Sequence, residues 1–211
     1  MTWKSIMKSV AKKCLLNEGF KQGSNNMYEK TLDGFYQGIH FYPGSKWLKG
    51  RFAVKYYLRY HNPTVENGGT ALDVSKAVFL LEDTERAQAW FYEEDAQSID
   101  QLINFYNIEI KPFFTEYNSL KRIITAYESN ENDTMNRAAC DVEIEGLRWF
   151  GLSIDCQLFT LGFVYIHIGE IQKGIDVLTQ LITNEDYQEF EYQLKRREIA
   201  IAEIKKHQQG I

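Results

Sequence analysis

Residues 52–60 constrain the fold more than any other segment, because large apolar side chains occupy every second position there. One face of such a segment carries Phe52, Val54, Tyr56, Leu58 and Tyr60. The opposite face carries Ala53, Lys55, Tyr57, Arg59 and, one residue further on, His61. A period of two residues is that of a β-strand, so the segment predicts a strand with one covered face and one face in water.

Further strand and turn signals lie on either side of this strand. An aromatic run at residues 35–42 is ended by a Pro-Gly turn signal at residues 43–44. The Asn-Gly-Gly run at residues 67–69 predicts a loop or hairpin turn, and residues 71–81 and 88–92 predict two more strands. These segments together predict an antiparallel meander.

Helical spacing dominates the rest of the chain. Residues 2–17 predict a short amphipathic helix that Gly19 ends with a left-handed cap. A second helix face carries Ile99, Leu102, Ile103, Tyr106 and Ile110. Lys111-Pro112 is expected to break or restart that helix. The C-terminal part of the chain predicts a helical hairpin that turns at residues 169–170 and a final helix over residues 185–207.

These patterns predict an α+β fold: an N-terminal helix on a curved antiparallel sheet, followed by helices and then by an all-helical C-terminal part. The most polar stretch, residues 129–133, is the best candidate for a linker. We therefore expect an α+β domain over residues 1–130. Residues 131–211 are expected to form a helical hairpin region with a long C-terminal helix.

The composition indicates a self-sufficient core in a reducing compartment. The chain contains 13 Phe, 13 Tyr and 4 Trp, and this much large side chain can fill a core without disulfides or metal. Cys14, Cys140 and Cys156 form no CxxC pair and predict buried free thiols. No apolar run fits a signal peptide or a membrane span. We expect a cytoplasmic protein with no membrane contact, no metal and no cofactor.

Charge is unevenly distributed along the chain. Residues 1–62 hold 11 Lys and Arg against 3 Asp and Glu, whereas residues 63–211 hold 13 against 26. This asymmetry predicts either a basic surface for an anionic partner or a basic part that the acidic part neutralises. Internal neutralisation is the favoured interpretation, because charged faces of proteins usually contact solvent and do not serve a dedicated anionic partner.

Lys55, Tyr57 and Arg59 are the candidate binding residues. Basic groups interleaved with an aromatic ring on a sheet can hold phosphates and stack a base. In the competing structural interpretation, Tyr57 packs under a helix while Lys55 and Arg59 pair with the acidic C-terminal part. The structural interpretation is favoured, because the chain is acidic overall and lacks a ribonucleoprotein-type aromatic motif.

Reactive side chains form no recognisable catalytic or metal-binding pattern. None of the four histidines has the i, i+4 spacing of a helical metal site. Cys156 and His167 share a face only on one straight helix, which would hold them roughly 16 Å apart. The Gly-Leu-Ser run at residues 151–153 lacks the second glycine of a nucleophile elbow. The sequence therefore assigns no catalytic residue.

Two resemblances add to this interpretation. The pattern of core positions comprises residues 16–21, Tyr28, 38–41, 52–54, 110–114 and Leu120. It resembles the mostly bacterial domain-of-unknown-function family 4304 over residues 1 to about 128. The resemblance implies an α+β domain with a helix on a curved sheet and no established activity, so it assigns no functional residue.

The second resemblance lies in the C-terminal part. Residues 161–165, followed by Gly169-Glu170 and Gly174-Ile175, look like a single tetratricopeptide-type helical hairpin, in which small Gly162 and Gly174 let two helices approach closely. The sequence contains no second copy at the expected period of about 34 residues, so the hairpin must pack on flanking helices or on the sheet.

The favoured function is a non-enzymatic protein-interaction module whose partner is another protein. Aromatic-rich sheets and repeat-like hairpins are surfaces that other proteins commonly bind. One alternative is nucleic-acid or other anion binding by the basic N-terminal sheet. A second alternative is a hydrolase with an unrecognised site.

Overall fold

The structure is a computed structural model that describes residues 2–23, 26–43, 50–60, 74–78, 91–92, 97–128, 141–144, 147–150, 154–183 and 191–209. The chain divides into two units. The first comprises Met1–Arg59 and Ser75–Arg122, and the second comprises Tyr60–Val74 and Ile123–Ile211. The linker and domain boundary expected near residue 130 lie outside the described residues.

The N-terminal half alternates between helical and extended segments. Helix α1 (Trp3–Val10) continues into a π-helical turn at Ala11–Leu15, here called a wide turn. A 3₁₀-helical turn at Leu16–Glu18, here called the tight turn, follows it. The strands are β1 (Lys21–Gln22), β2 (Met27–Leu32), β3 (Phe35–Pro43), β4 (Arg51–Tyr60), β5 (Val74–Val78) and β6 (Phe91–Tyr92). Helix α2 (Gln97–Phe105), a wide turn at Tyr106–Ile110, helix α3 (Lys111–Glu116) and helix α4 (Leu120–Glu128) follow.

The sheet of the first unit follows the order β1-β2-β3-β4-β5, and β6 also pairs with β4. The pairs β1–β2, β2–β3 and β4–β6 are antiparallel, which agrees with the predicted meander. In the β2–β3 register, Glu29 lies opposite Gly38 and Thr31 lies opposite Tyr36. The strands expected at residues 71–81 and 88–92 appear as β5 and β6, and the turn expected at residues 67–69 lies outside the described residues.

The core of the first unit lies between the inner face of this sheet and the helices. Every residue of the predicted apolar face of β4 is buried, as the two-residue period predicts. The Tyr56 ring meets the Phe113 ring edge-on at 4.9 Å between centroids. Buried Gln37 of β3 donates from Nε2 to the Phe114 carbonyl oxygen at 2.6 Å. This hydrogen bond ties α3 to the sheet and satisfies a polar group that burial would otherwise penalise.

The side chains on the opposite face of β4 are less exposed to solvent than the sequence predicts. Lys55 and Arg59 are half-buried, but Ala53 and Tyr57 are buried. The expectation of one fully wet face is therefore wrong at Tyr57, because its ring is covered by packing across the neighbouring strand.

The end of the first helical segment agrees with the sequence, whereas the helix is not broken at Pro112. Gly19 adopts a left-handed conformation at φ 89°, and the Phe20 N–H donates to the Leu15 carbonyl at 3.1 Å, so the first helical segment ends as expected. Pro112 lies in the first turn of α3, directly after the wide turn. The backbone stays right-handed helical at Phe105, Ile110 and Lys111, so the break or restart expected at Lys111-Pro112 is only a change of hydrogen-bonding pattern and does not interrupt the helix.

The second unit contains a short hairpin and three long helices. Strands β7 (Asp141–Ile144) and β8 (Leu147–Phe150) are antiparallel, and Val74 pairs with Trp149. Helices α5 (Ile154–His167), α6 (Ile171–Thr183) and α7 (Glu191–Gln208) follow. The two units together confirm the α+β class. Within the described part of the chain, no helix has both the length and the apolar character needed to cross a bilayer.

Helices α5 and α6 approach closely through two glycines. The turn between them uses Gly169 at φ 89°. A Cβ atom on Gly174 would lie 2.6 Å from the carbonyl oxygen of Gly162, and a Cβ on Gly162 would overlap the Leu178 side chain. Only residues without a side chain fit this crossing, which confirms the contact that the glycines predict.

Candidate functional site

The three predicted binding residues share the outer face of β4, where they alternate with the buried core face. Lys55 and Arg59 lie four residues apart, with Tyr57 between them. The same face of the sheet includes Glu29 of β2 and Tyr36 of β3, as the contacts of Tyr57 and Arg59 show. We refer to Glu29, Tyr36, Tyr57 and Arg59 as the Arg59 cluster.

Tyr57 reaches across a neighbouring strand because that strand has a glycine at the crossing point. A Cβ atom on Gly38 would overlap the Tyr57 ring, so the ring lies directly over the β3 backbone. The Tyr57 hydroxyl then donates to Glu29 Oε1 on β2 at 2.7 Å, and it also lies 3.3 Å from the sulfur of Met27. Neighbouring strands are about 4.8 Å apart, so this reach over two strands requires an empty position on the strand between them.

Arg59 is held on three sides. Its guanidinium forms an ion pair with Glu29 Oε1, the same oxygen that accepts from Tyr57. The guanidinium carbon lies 5.4 Å from the centroid of the Tyr36 ring and 5.8 Å from that of the Tyr57 ring. These distances allow cation–π attraction to both rings. Arg59 is thus oriented on rigid strands while its side chain stays 34% exposed.

These contacts differ from the structural interpretation of the sequence. That interpretation placed Tyr57 under a helix and paired Lys55 and Arg59 with acidic residues of the C-terminal part. Tyr57 instead packs on the sheet itself, and the ion pair of Arg59 is made with Glu29, one of the few acids in the basic N-terminal part of the chain. The missed residues are Glu29, Tyr36 and Gly38.

The outer face continues along β3 beyond Tyr36. His40 and Tyr42 are half-buried, and their ring centroids lie 3.8 Å apart. They share a face with Tyr36 because residues two apart on a strand point the same way. The outer face therefore carries aromatic rings along β3 and cationic groups along β4.

A second cluster of reactive side chains joins Glu18 of the tight turn to Tyr106 of the second wide turn and to Lys111 at the start of α3. The Tyr106 hydroxyl donates to Glu18 Oε2 at 2.6 Å, and Lys111 Nζ donates to Glu18 Oε1 at 2.7 Å. Burial raises the pKa of Glu18, but the hydrogen bonds from Lys111 and Tyr106 lower it by more, so the net pKa lies below its ordinary value. Burial and the Glu18 hydrogen bond raise the pKa of Tyr106.

Cys14 lies near this second cluster as a free, buried thiol, as the sequence predicts. Burial, followed by the negative charge of Glu18, raises its pKa, which keeps the less reactive thiol form. Both Glu18 oxygens accept hydrogen bonds, and Tyr106 is held protonated. The arrangement therefore ties the tight turn at Leu16–Glu18 to Tyr106 and to the start of α3, and it leaves no activated nucleophile or base among these side chains.

The remaining chemical candidates are not brought together. Helix α5 is continuous, so residues 156 and 167 stay roughly 16 Å apart along its axis. The side chain of Cys156, all of Cys140 and residues 151–153 lie outside the described residues. Among the residues that are described, no three His, Cys, Asp or Glu side chains are grouped in a way that could hold a metal ion.

Comparisons of this chain with protein-family models, with curated proteins and with solved structures return no match. The two resemblances noted in the sequence therefore remain predictions. The Arg59 cluster is the candidate functional site of the chain.

Proposed function

We propose that the chain is a non-enzymatic protein-interaction module that binds another protein through the outer face of β2, β3 and β4. The observation that supports this most is the fixed orientation of Arg59 by Glu29, Tyr36 and Tyr57. Tyr and Arg are the residue types that contribute most at protein interfaces, and an ordered side chain loses little entropy on binding. We propose that the protein acts in the cytoplasm, with its free thiol at Cys14 as support.

The overall acidity of the chain favours a protein partner over a nucleic acid, because its formal net charge is −5. Nucleic acids are held through several phosphates at once. The two donors of the cluster, Tyr57 and Arg59, already fit one carboxylate, that of Glu29. Nucleic-acid or other anion binding remains the alternative that the experiment distinguishes. The hydrolase alternative has no support from the second cluster, whose reactive groups are held unreactive.

The test compares Arg59→Ala with Arg122→Ala. Arg122 is a matched control, because it pairs with Glu116 at 2.6 Å, lies 5.0 Å from the Tyr117 ring centroid and is 32% exposed. The full-length proteins are used to capture partners from nuclease-treated extract, and each captured protein is then purified and titrated against both variants. We expect Arg59→Ala to weaken direct binding at least tenfold, the loss of one interface hot spot, and Arg122→Ala to leave it unchanged.

Two results would contradict this proposal. Equal binding by the two variants would remove the Arg59 cluster as the binding surface. Recovery that disappears on nuclease treatment would instead support the nucleic-acid alternative.

A further inference from the structure

In the Arg59 cluster, a carboxylate already accepts from the donors of Tyr57 and Arg59. Two donors from β4, the Tyr57 hydroxyl and the Arg59 guanidinium, converge on a single carboxylate oxygen of Glu29. Charge-assisted donors that converge in this way fit the carboxylate of an aspartate or glutamate side chain. Glu29 reaches them from β2, a different strand from the one that carries the donors.

We propose that Tyr57 and Arg59 bind a carboxylate side chain in an acidic segment of the partner, and that Glu29 occupies these donors until the partner's carboxylate replaces it. This inference rests on the proposed function and names the chemistry of the partner. Glu29 then acts as an internal competitor that weakens binding of the acidic segment.

The exchange is feasible because the internal ion pair is open to solvent. The side chains of Arg59 and Glu29 are 34% and 22% exposed. Pairs with such exposure contribute little to stability, so replacing one carboxylate by another costs little.

The donors keep their orientation when Glu29 leaves. Arg59 still lies against the Tyr36 and Tyr57 rings, and Tyr57 still lies over Gly38. An incoming carboxylate therefore finds a preorganised site, and preorganisation reduces the entropy lost on binding.

Charge complementarity identifies the occupant as acidic. Arg51 and Lys55 lie on the same face of β4 as Arg59, so three cationic side chains follow one another along the strand. An acidic segment is attracted to this surface from a distance. Once bound, one of its carboxylates takes the position of Glu29 and its backbone lies along the aromatic rings of β3.

The experiment titrates the full-length protein with fluorescein-labelled octaglutamate and follows fluorescence anisotropy at low salt. Glu29→Gln removes the competing charge with little change in shape and is expected to tighten binding about fivefold, the effect of freeing a site from a surface ion pair. Glu29→Asp shortens the side chain and is expected to give a smaller gain. Arg59→Ala is expected to abolish binding.

Glu116→Gln is the matched control. Glu116 also pairs with an arginine, and its substitution changes the net charge by the same amount. An equal gain from Glu29→Gln and Glu116→Gln would show a general charge effect and overturn the inference. Failure of octaglutamate to bind either the wild type or Glu29→Gln would also overturn it.

The outcomes separate this inference from the proposed function. If octaglutamate fails but a purified protein partner still binds in an Arg59-dependent way, the interaction module stands and the carboxylate exchange falls. If oligothymidylate displaces octaglutamate from the wild type at equal concentration, the site recognises phosphates as well, and the acidic protein segment is the wrong occupant.

Discussion

The two units of the chain contain the same chemical pair in different surroundings. In the first unit Arg59 pairs with Glu29, and both side chains are partly exposed. In the second unit Arg196 of α7 pairs with Asp155 of α5 at 2.5 Å, and Asp155 is only 1% exposed. Exposure determines whether an arginine–carboxylate pair can exchange its partner or must stay closed to protect a buried charge.

The buried pair also has less hydrogen-bonding support at its acid. Within the described part of the chain, Asp155 Oδ1 has no hydrogen-bond partner. The Arg59 cluster, in contrast, brings a second donor to Glu29 from Tyr57. The pair in the second unit is therefore a structural contact whose loss is costly, whereas the pair in the first unit is suited to recognition.

Breaking the buried pair is expected to lower the free energy of unfolding more than any other change proposed here. Arg196→Ala leaves the Asp155 charge buried without its cation and is expected to lower the free energy of unfolding by about 3 kcal/mol. Arg59→Ala removes the exposed counterpart and is expected to cost about 1 kcal/mol or less. Urea unfolding followed by circular dichroism measures both. Similar losses for the two variants would refute the distinction between a structural and an exchangeable pair.

The next effect concerns glycines that each unit uses for a close approach. A methyl group on Gly174 would meet the Gly162 carbonyl oxygen and Ile166, both at 2.6 Å, and a backbone atom cannot turn aside. A methyl group on Gly38 would meet only the Tyr57 side chain among the three nearest atoms. Overpacking of this kind costs about 1 to 3 kcal/mol, and we expect Gly174→Ala at the upper end and Gly38→Ala at the lower end.

A double-mutant cycle separates the glycine contact with a side chain from the glycine contact with the backbone. Tyr57→Ala removes the ring that Gly38→Ala would displace, so the cost of Gly38→Ala should nearly disappear in the Tyr57→Ala background. Ile166→Ala should relieve Gly174→Ala only in part, because the carbonyl contact remains. Urea unfolding of the single and double variants measures both couplings. Additive losses at Gly38 and Tyr57 would contradict the packing described for the Arg59 cluster.

The sequence predicts those features that depend on neighbouring residues. The two-residue period predicts the buried face of β4, and Gly19 predicts the end of the first helical segment. Each depends on backbone preferences or on side-chain period within a few residues. The close approach of α5 and α6 is similarly visible in two glycines.

The missed features depend on residues far apart in the chain. Glu29 becomes the partner of Tyr57 and Arg59 only through the register of β2 and β3, which places it opposite Gly38. Register depends on how the strands pair, and it cannot be inferred from the residues of β4 alone. The second cluster, around Glu18, was missed for the same reason, because it joins residue 18 to residues 106 and 111.

The smallest expected effect extends the comparison to Glu18, a third carboxylate, whose side chain is 30% exposed. Its pKa is lower in the folded protein than its ordinary value of 4.5, because the hydrogen bonds from Lys111 and Tyr106 outweigh the opposing effect of burial. The folded state therefore binds this proton less readily than the unfolded state does. The resulting stability is present above pH 4.5 and is lost as the pH falls through the folded-state pKa.

Glu18→Gln tests this pH dependence directly. The variant should lose less free energy of unfolding than the wild type when the pH is lowered from 7 to about 3.5, a range that spans the ordinary pKa of a glutamate. Glu116→Gln, which removes a carboxylate that is 52% exposed, is the control for the loss of one negative charge. The measurement is urea unfolding at several pH values. Parallel curves for Glu18→Gln and the wild type would show that Glu18 is as weakly coupled to folding as an exposed surface carboxylate. Two donors on one carboxylate would then be insufficient for a structural contact unless the carboxylate is also buried.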